Sequence, residues 1–447
     1  MSARKDRDHT PMDTCAVSID RPDTPPVHRA AGVRLPHDQS AMDLTNLRLL
    51  LDIDIQNDSD TYIDDINDLL SETKGIFPNS KLPFHPTEEL LRNLSLYDTK
   101  LGKWKIPELP RRSEVKQGEK KPKQIPPEKY IADFLNKICS DMATHQNVTR
   151  IRDWNSNFCN NVLEGSPIVR KTDIILVDIP SLCSITWTSV RAVTEVTTQE
   201  SEPKRISNTV TDKSYIILTT QPDRVFVPIL SFWSTTNNFC VRLTVTDRQG
   251  QLRSQSLRIG APWRQTDSLN FIRLLIGLCF APKPVIGYDP TIQTNDCNEV
   301  TSIICDNKQF NVINSIFESQ SLVGRATRVW EVEFENRRYI LKDAWVEASR
   351  PVPEFEILKV LDGIKGVPQL FCGGNVCVDG ETISTGVIWE GWGDSARVRV
   401  RRRIVTSSIG SHIATFSSKR ELISVLRDIV ISMKLLSMLE ICANVSW

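Results

Sequence analysis

The chain has 447 residues, with 55 Lys+Arg balanced by 55 Asp+Glu. A formally neutral chain has no global field to draw in nucleic acid or an anionic membrane, so neither is expected as a partner, and other proteins remain the expected class. The 40% hydrophobic content is enough for packed cores, and the length suggests about three domains.

The 11 cysteines are scattered and form no C-x-x-C pair, and the six histidines lie mostly before residue 146. Structural zinc needs clustered ligands at short spacings. We therefore expect no metal site and read the cysteines as buried, reduced thiols. The amino terminus, "MSARKDRDHTPMD", lacks the apolar core of a secretory signal. The most apolar stretch, 271–287, carries Arg273 and is broken by Pro282 and Pro284, so it is too interrupted to span a bilayer. These features predict an intracellular protein, cytoplasmic or nuclear.

Residues 1–40 are rich in Pro, Arg and Asp, and predict a disordered tail. Over 41–97, "LTNLRLLLDIDI" and "YIDDINDLLSETKGIF" carry Leu and Ile at helical spacing, and "TEELLRNLSLY" opens like a capped helix. Residues 98–127 turn basic and Pro-rich, as a solvated linker would or, alternatively, a docking segment for acidic partners.

Over 128–292 the pattern predicts an α+β domain. "EKYIADFLNKICSDMATH" reads as a helix. "TDIILVDI", "ITWTSVRAVTEVTT", "SYIILTT", "RVFVPILSFWST" and "FCVRLTVTDRQGQLRSQSLRIG" read as strands, with "DRQG" as a hairpin turn. "DSLNFIRLLIGLCF" reads as a helix capped by Asp267 or Ser268. Asp173 heads one strand and Glu195 lies in the next, the spacing of a PD-(D/E)xK nuclease site, but Thr197 stands where the lysine belongs. That departure predicts ordinary strand-edge acids or a decayed nuclease-like scaffold.

After a connector at 293–317, residues 318–447 change pattern. "SLVGRATRVWEVEF" and "RRYILKDAW" give two or three strands, "VPEFEILKVL" a helix, and "GVPQLFCGG", "GVIWEGW" and "RVRVRRRIVTS" further strands. "SSKRELISVLRDIVISMKLLSML" is a long amphipathic helix capped by Ser417 or Ser418. Arg397, Arg399, Arg401 and Arg403 share one strand face, either solvated, paired with acids or set to bind phosphate. A helix inserted after the third of five strands is the order of a protein-kinase small lobe. There a strand lysine grips the nucleotide phosphates and a helix glutamate holds the lysine. Lys342 in "YILK" and Glu354, with Glu356 as competitor, fit that pair.

"GYDPTI", "GRATRVWEV", "YILKDAWVEASRPVPEFEIL", "GVPQL" and "RRRIVTSSIGSHIATFSSKRELISVLRDIV" resemble the fungal-type protein kinases, and the likeness runs from about 128 to 435. The resemblance implies a kinase-like small lobe followed by the first large-lobe helix. It implies ATP with Mg²⁺ as cofactors, and a nucleotide site at Gly324, Val329, Lys342 and Glu354. Ala326 and Val329 stand where a G-x-G-x-x-G loop would carry further glycines. Beyond the long helix, "SMLEICANVSW" holds no H-R-D, D-F-G or A-P-E run. These residues alone are therefore expected to lack a catalytic aspartate and metal ligands, to bind nucleotide weakly or not at all, and to transfer no phosphate. The alternative is a non-catalytic interaction or scaffold protein.

Overall fold

The structure, a computed structural model, describes residues 62–438 apart from 108–124, 181–182, 198–203, 236–237, 365, 393–396, 408 and 411–412. The disorder expected over 1–40, the helix expected at 44–55 and most of the basic linker lie outside the described residues.

The described chain opens with β1 (Tyr62–Ile66) and α1 (Glu88–Asn93). Thr87 caps α1 by accepting the Leu90 amide at 3.1 Å, as the sequence predicts. β2 (Tyr97–Asp98) and β3 (Lys103–Trp104) form a short hairpin. Next come α2 (Pro127–Gln146), β4 (Arg152–Asn155), β5 (Ile174–Asp178), β6 (Ala192–Thr197), α3 (Lys204–Thr220), β7 (Val227–Thr235), β8 (Asn238–Thr246), β9 (Gln251–Ser254), β10 (Leu257–Arg258) and α4 (Gln265–Phe280). Their sheet runs β1-β9-β8-β7-β6-β5-β4, with β10 on β8. One face packs on α1, α2 and α4 through residues such as Phe134, Leu230 and Phe271, and the other on α3 through Val193, Val210 and Ile217.

Four expectations need correction here. "SYIILTT" is the end of α3, not a strand. β6 and β7 are parallel, and parallel neighbours require a crossover, which α3 supplies. Tyr215, Ile216, Ile217 and Leu218 are all buried, so this part of the helix shows no polar stripe and its β-branched run misleads. "YIDDI" is strand rather than helix, paired parallel with β9 through Tyr62↔Gln251 and Ile63↔Leu252. The first residues of the predicted linker are packed rather than solvated: Trp104 is 2% exposed and sits edge-on to Phe134 and Phe271. Neither Asp267 nor Ser268 caps α4, which starts at Gln265: Asp267 accepts the Arg258 amide, and Ser268 accepts the Trp104 indole N–H.

The second body comprises β11 (Ile292–Thr294), β12 (Val300–Cys305), β13 (Lys308–Glu318), β14 (Arg328–Phe334), β15 (Arg337–Glu347), α5 (Glu354–Val360), β16 (Leu370–Asn375), β17 (Cys377–Val378), β18 (Glu381–Thr382), α6 (Gly386–Trp389), β19 (Arg399–Thr406) and α7 (Lys419–Met438). Its sheet runs β11-β12-β13-β14-β15-β19-β16. The stretch 293–317, read as a connector, therefore adds strands. The turn at Asp306–Asn307, with φ of 50° and 58°, joins β12 to β13 and was a legible two-residue hairpin signal. "GVIWEGW" contains the short helix α6 rather than a strand, with Ile388 and Trp389 buried in the core of the first body. Ser418 caps α7 by accepting the Glu421 amide at 3.2 Å. The sheet curls, so that Cys305 of β12 lies 3.9 Å from Cys372 of β16, sulfur to sulfur.

The architecture is mixed α+β, and no helix among the described residues is long and apolar enough to cross a membrane. The expectation of reduced thiols fails at one pair. Cys183 and Cys297, 114 residues apart, form a disulfide that only the tertiary fold could bring together.

Candidate functional site

Strand alternation sends neighbouring residues of β15 to opposite faces. Tyr339, Leu341, Asp343 and Trp345 point into the curled sheet and are buried, while Lys342 lies on the other face. Lys342 faces α5, whose first residue is Glu354. Its Nζ donates to both carboxylate oxygens of Glu354, at 2.7 and 2.8 Å. The pair is 28% and 43% exposed. Glu356 points elsewhere and pairs with Lys359 at 3.0 Å. Val329 of β14 lies directly opposite Lys342 in the ladder, and Ile404 of β19 flanks it on the other side.

Gly324 stands in the loop between β13 and β14 with φ +117°, in the region that favours glycine. The next residue, Arg325, was not singled out by the sequence. Its carbonyl accepts the Trp345 amide at 2.8 Å, and its guanidinium lies 3.7 Å from Glu354 Oε2. Arg325, Lys342, Arg350, Glu354 and Arg402 line one small cleft. Four cations around a single carboxylate make a site suited to an anion, and phosphate is the anion such forks and ammonium groups hold well.

The arginine run divides between the two faces. Arg402 lines the cleft, whereas Arg401 and Arg403 are buried with Asp343 and Asp289. Arg403 reaches Asp343 Oδ2 at 2.7 Å, and Arg401 reaches Asp289 Oδ2 at 2.9 Å. Burial pushes the Asp343 carboxyl up, but Arg401 and Arg403 outweigh it and hold the group below its ordinary value. Arg399 pairs with Glu347 at 3.1 Å. Of the readings weighed for this face, pairing with acids is the one the geometry bears out. The signal was Asp343, which strand alternation sends to the face opposite Lys342.

In the first body, Asp173 accepts the Val196 amide at 2.8 Å, and buried Glu195 forms an ion pair with Lys213 of α3. Burial pushes Glu195 up to about 7, with Lys213 opposing and Asp173 adding to the rise. The lysine missing at Thr197 is thus present in space, one helix away. It closes the acid off rather than opening a site, and no group of three metal-binding side chains exists among the described residues.

No curated protein matches the chain. The model of the family described as fungal protein kinase matches residues 171–392, from just before β5 to just past α6, and takes in Gly324, Val329, Lys342 and Glu354. Over that stretch, the chain belongs to the fungal protein kinase family.

Proposed function

We propose that residues 308–406 are the nucleotide-gripping lobe of a protein kinase, with Lys342 as the phosphate-binding lysine and Glu354 as the group that holds it. The two-oxygen grip of Glu354 on Lys342 carries this reading, because it fixes the ammonium over an exposed cleft instead of burying it. β13, β14 and β15 followed by α5, and then β16 and β19, follow the chain order expected of such a lobe. Family membership implies ATP with Mg²⁺, and ATP would supply the transferable phosphoryl group.

The described residues do half of that work. Lys342 neutralises and orients phosphate oxygens, and Arg325, Arg350 and Arg402 add positive charge at the same mouth. Val329 and Ile404 flank the lysine and give it an apolar setting. No group of three or more His, Cys, Asp or Glu side chains converges as a metal site among the described residues, and the 447 residues contain no H-R-D or D-F-G run. We therefore assign these residues phosphate binding and not, by themselves, phosphoryl transfer. Titration with a fluorescent ATP analogue should show weak binding that Lys342→Met abolishes. Equal binding by wild type and Lys342→Met would overturn the reading. Phosphate incorporation from radiolabelled ATP that disappears in Lys342→Met would overturn the assignment of binding without transfer.

A further inference from the structure

The hairpin turn between β8 and β9, Asp247-Arg248-Gln249-Gly250, belongs to the first body yet is wholly buried. Its three side chains hold two parts of the second, α6 and the loop between β13 and β14. Asp247 accepts the Trp389 indole N–H at 2.9 Å, and Gln249 accepts the Thr385 hydroxyl at 2.6 Å. Arg248 donates to the carbonyls of Ser321 and Leu322 at 2.8 and 3.1 Å, and to Leu218 at the end of α3 at 2.7 Å. In return, the Gly324 amide donates to the Arg248 carbonyl at 3.0 Å. Leu322 is fully buried in the cluster that contains Ile216, Ile217 and Leu218. Tyr215 donates to Gln320 in the same loop at 3.3 Å.

The loop between β13 and β14 is therefore fastened to the first body. A glycine loop ordinarily approaches phosphate through its own backbone N–H groups. Here the Gly324 N–H is already spent on Arg248, and the loop's apolar side chain is sunk in another core. The residue that follows the fastened segment is Arg325. Its carbonyl is fixed by Trp345, and its half-exposed guanidinium faces Glu354 across the mouth of the cleft.

We propose that Arg248 is a positioning residue, which holds the 319–324 loop so that Arg325, rather than the loop amides, meets the nucleotide phosphates beside Lys342. The inference rests on the nucleotide-site reading and adds to it. A planar guanidinium with several fixed donors can replace an array of amides at phosphate oxygens, and lysine at either arginine would not reproduce it. At Arg248 the same planar fork bridges three carbonyls, with one terminal nitrogen on Ser321 and Leu322 and the other on Leu218.

The test uses the full chain and two readouts. Arg325 is exposed enough that Arg325→Ala should fold normally. It should weaken ATP binding about ten- to a hundredfold, the scale of one charge-assisted hydrogen bond, and leave adenosine binding unchanged. Arg248→Ala should give the same ATP-selective loss, together with faster hydrogen exchange at the Gly324 amide. ATP binding lost in Lys342→Met but unchanged in Arg325→Ala would overturn this inference alone. Unaltered Gly324 exchange in a folded Arg248→Ala chain would overturn the positioning role. Binding that survives Lys342→Met would overturn the underlying site reading instead. Should Arg248→Ala fail to fold, Arg248→Lys takes its place in both readouts, and wild-type ATP affinity with unaltered Gly324 exchange in that variant would overturn the positioning role.

Discussion

Lys342 and Asp343 are consecutive on β15, and each is ion-paired, yet their surroundings are opposite. Asp343 is 3% exposed and shares two buried guanidinium groups with Asp289, in a row that crosses β14, β15 and β19 through Arg328, Asp343 and Arg403. Lys342 is over a quarter exposed and holds one carboxylate over an open cleft. The first pair joins the bodies, since Arg401 also donates to the Pro222 carbonyl at 2.8 Å and Arg328 to Thr219 at 2.6 Å. The second pair leaves its charges available. One strand thus carries a buried ion network on one face and a part-exposed ion pair on the other, and burial tells them apart where residue type does not.

The largest expected effect breaks the buried face. Asp343→Ala leaves Arg401 and Arg403 with only one of their two shared acids, Asp289, and should cost about 3–5 kcal/mol of unfolding free energy, read by denaturant titration. A loss under ~1 kcal/mol would show that Asp289 alone satisfies both arginines. On the open face, Lys342→Met should change stability by less than about 1 kcal/mol while removing nucleotide binding. A loss as large as that of Asp343→Ala would erase the distinction drawn here.

A pH experiment sharpens the comparison at the turn that clasps the two bodies. Burial pushes Asp247 up to about 7, against the Gln249 and Gly250 amides and the Trp389 indole that favour the anion. A carboxyl raised on folding binds more protons in the native state than in the unfolded state. Its contribution is complete below its unfolded pKa of about 4 and is lost as pH rises through about 7. The stability of wild type relative to Asp247→Asn should therefore fall over that window. A flat difference would mean that ionisation at Asp247 is not penalised. The smallest effect is at the competitor glutamate. Glu356→Ala, which breaks only a pair with Lys359 that is about half exposed, should stay within about 0.5 kcal/mol and leave nucleotide binding intact.

Much of the second body was legible because its signals are local. The spacing from "YILK" to "PEFEIL" is enough to set a strand lysine against the start of a helix, and the structure joins Lys342 to Glu354 rather than to Glu356. Thr87 and Ser418 were readable as caps because a cap is defined within four residues. Readings failed where a segment's partner lies far along the chain. "SYIILTT" is helix because β6 and β7 are parallel, and "YIDDI" is strand because β9, about 190 residues later, offers it an edge.

The sequence by itself determined the alternation that separates Lys342 from Asp343, the Thr87 and Ser418 caps, the 247–250 turn and the candidate lysine–glutamate pair, since all follow from periodicity and short-range stereochemistry. Only the tertiary structure decided which of two adjacent charges is buried. It also decided which arginines are spent on acids, that Cys183 meets Cys297, and that a turn at 247–250 holds a loop at 319–324. Burial and long-range pairing depend on what the whole chain places around a residue, and no local window of sequence contains that information.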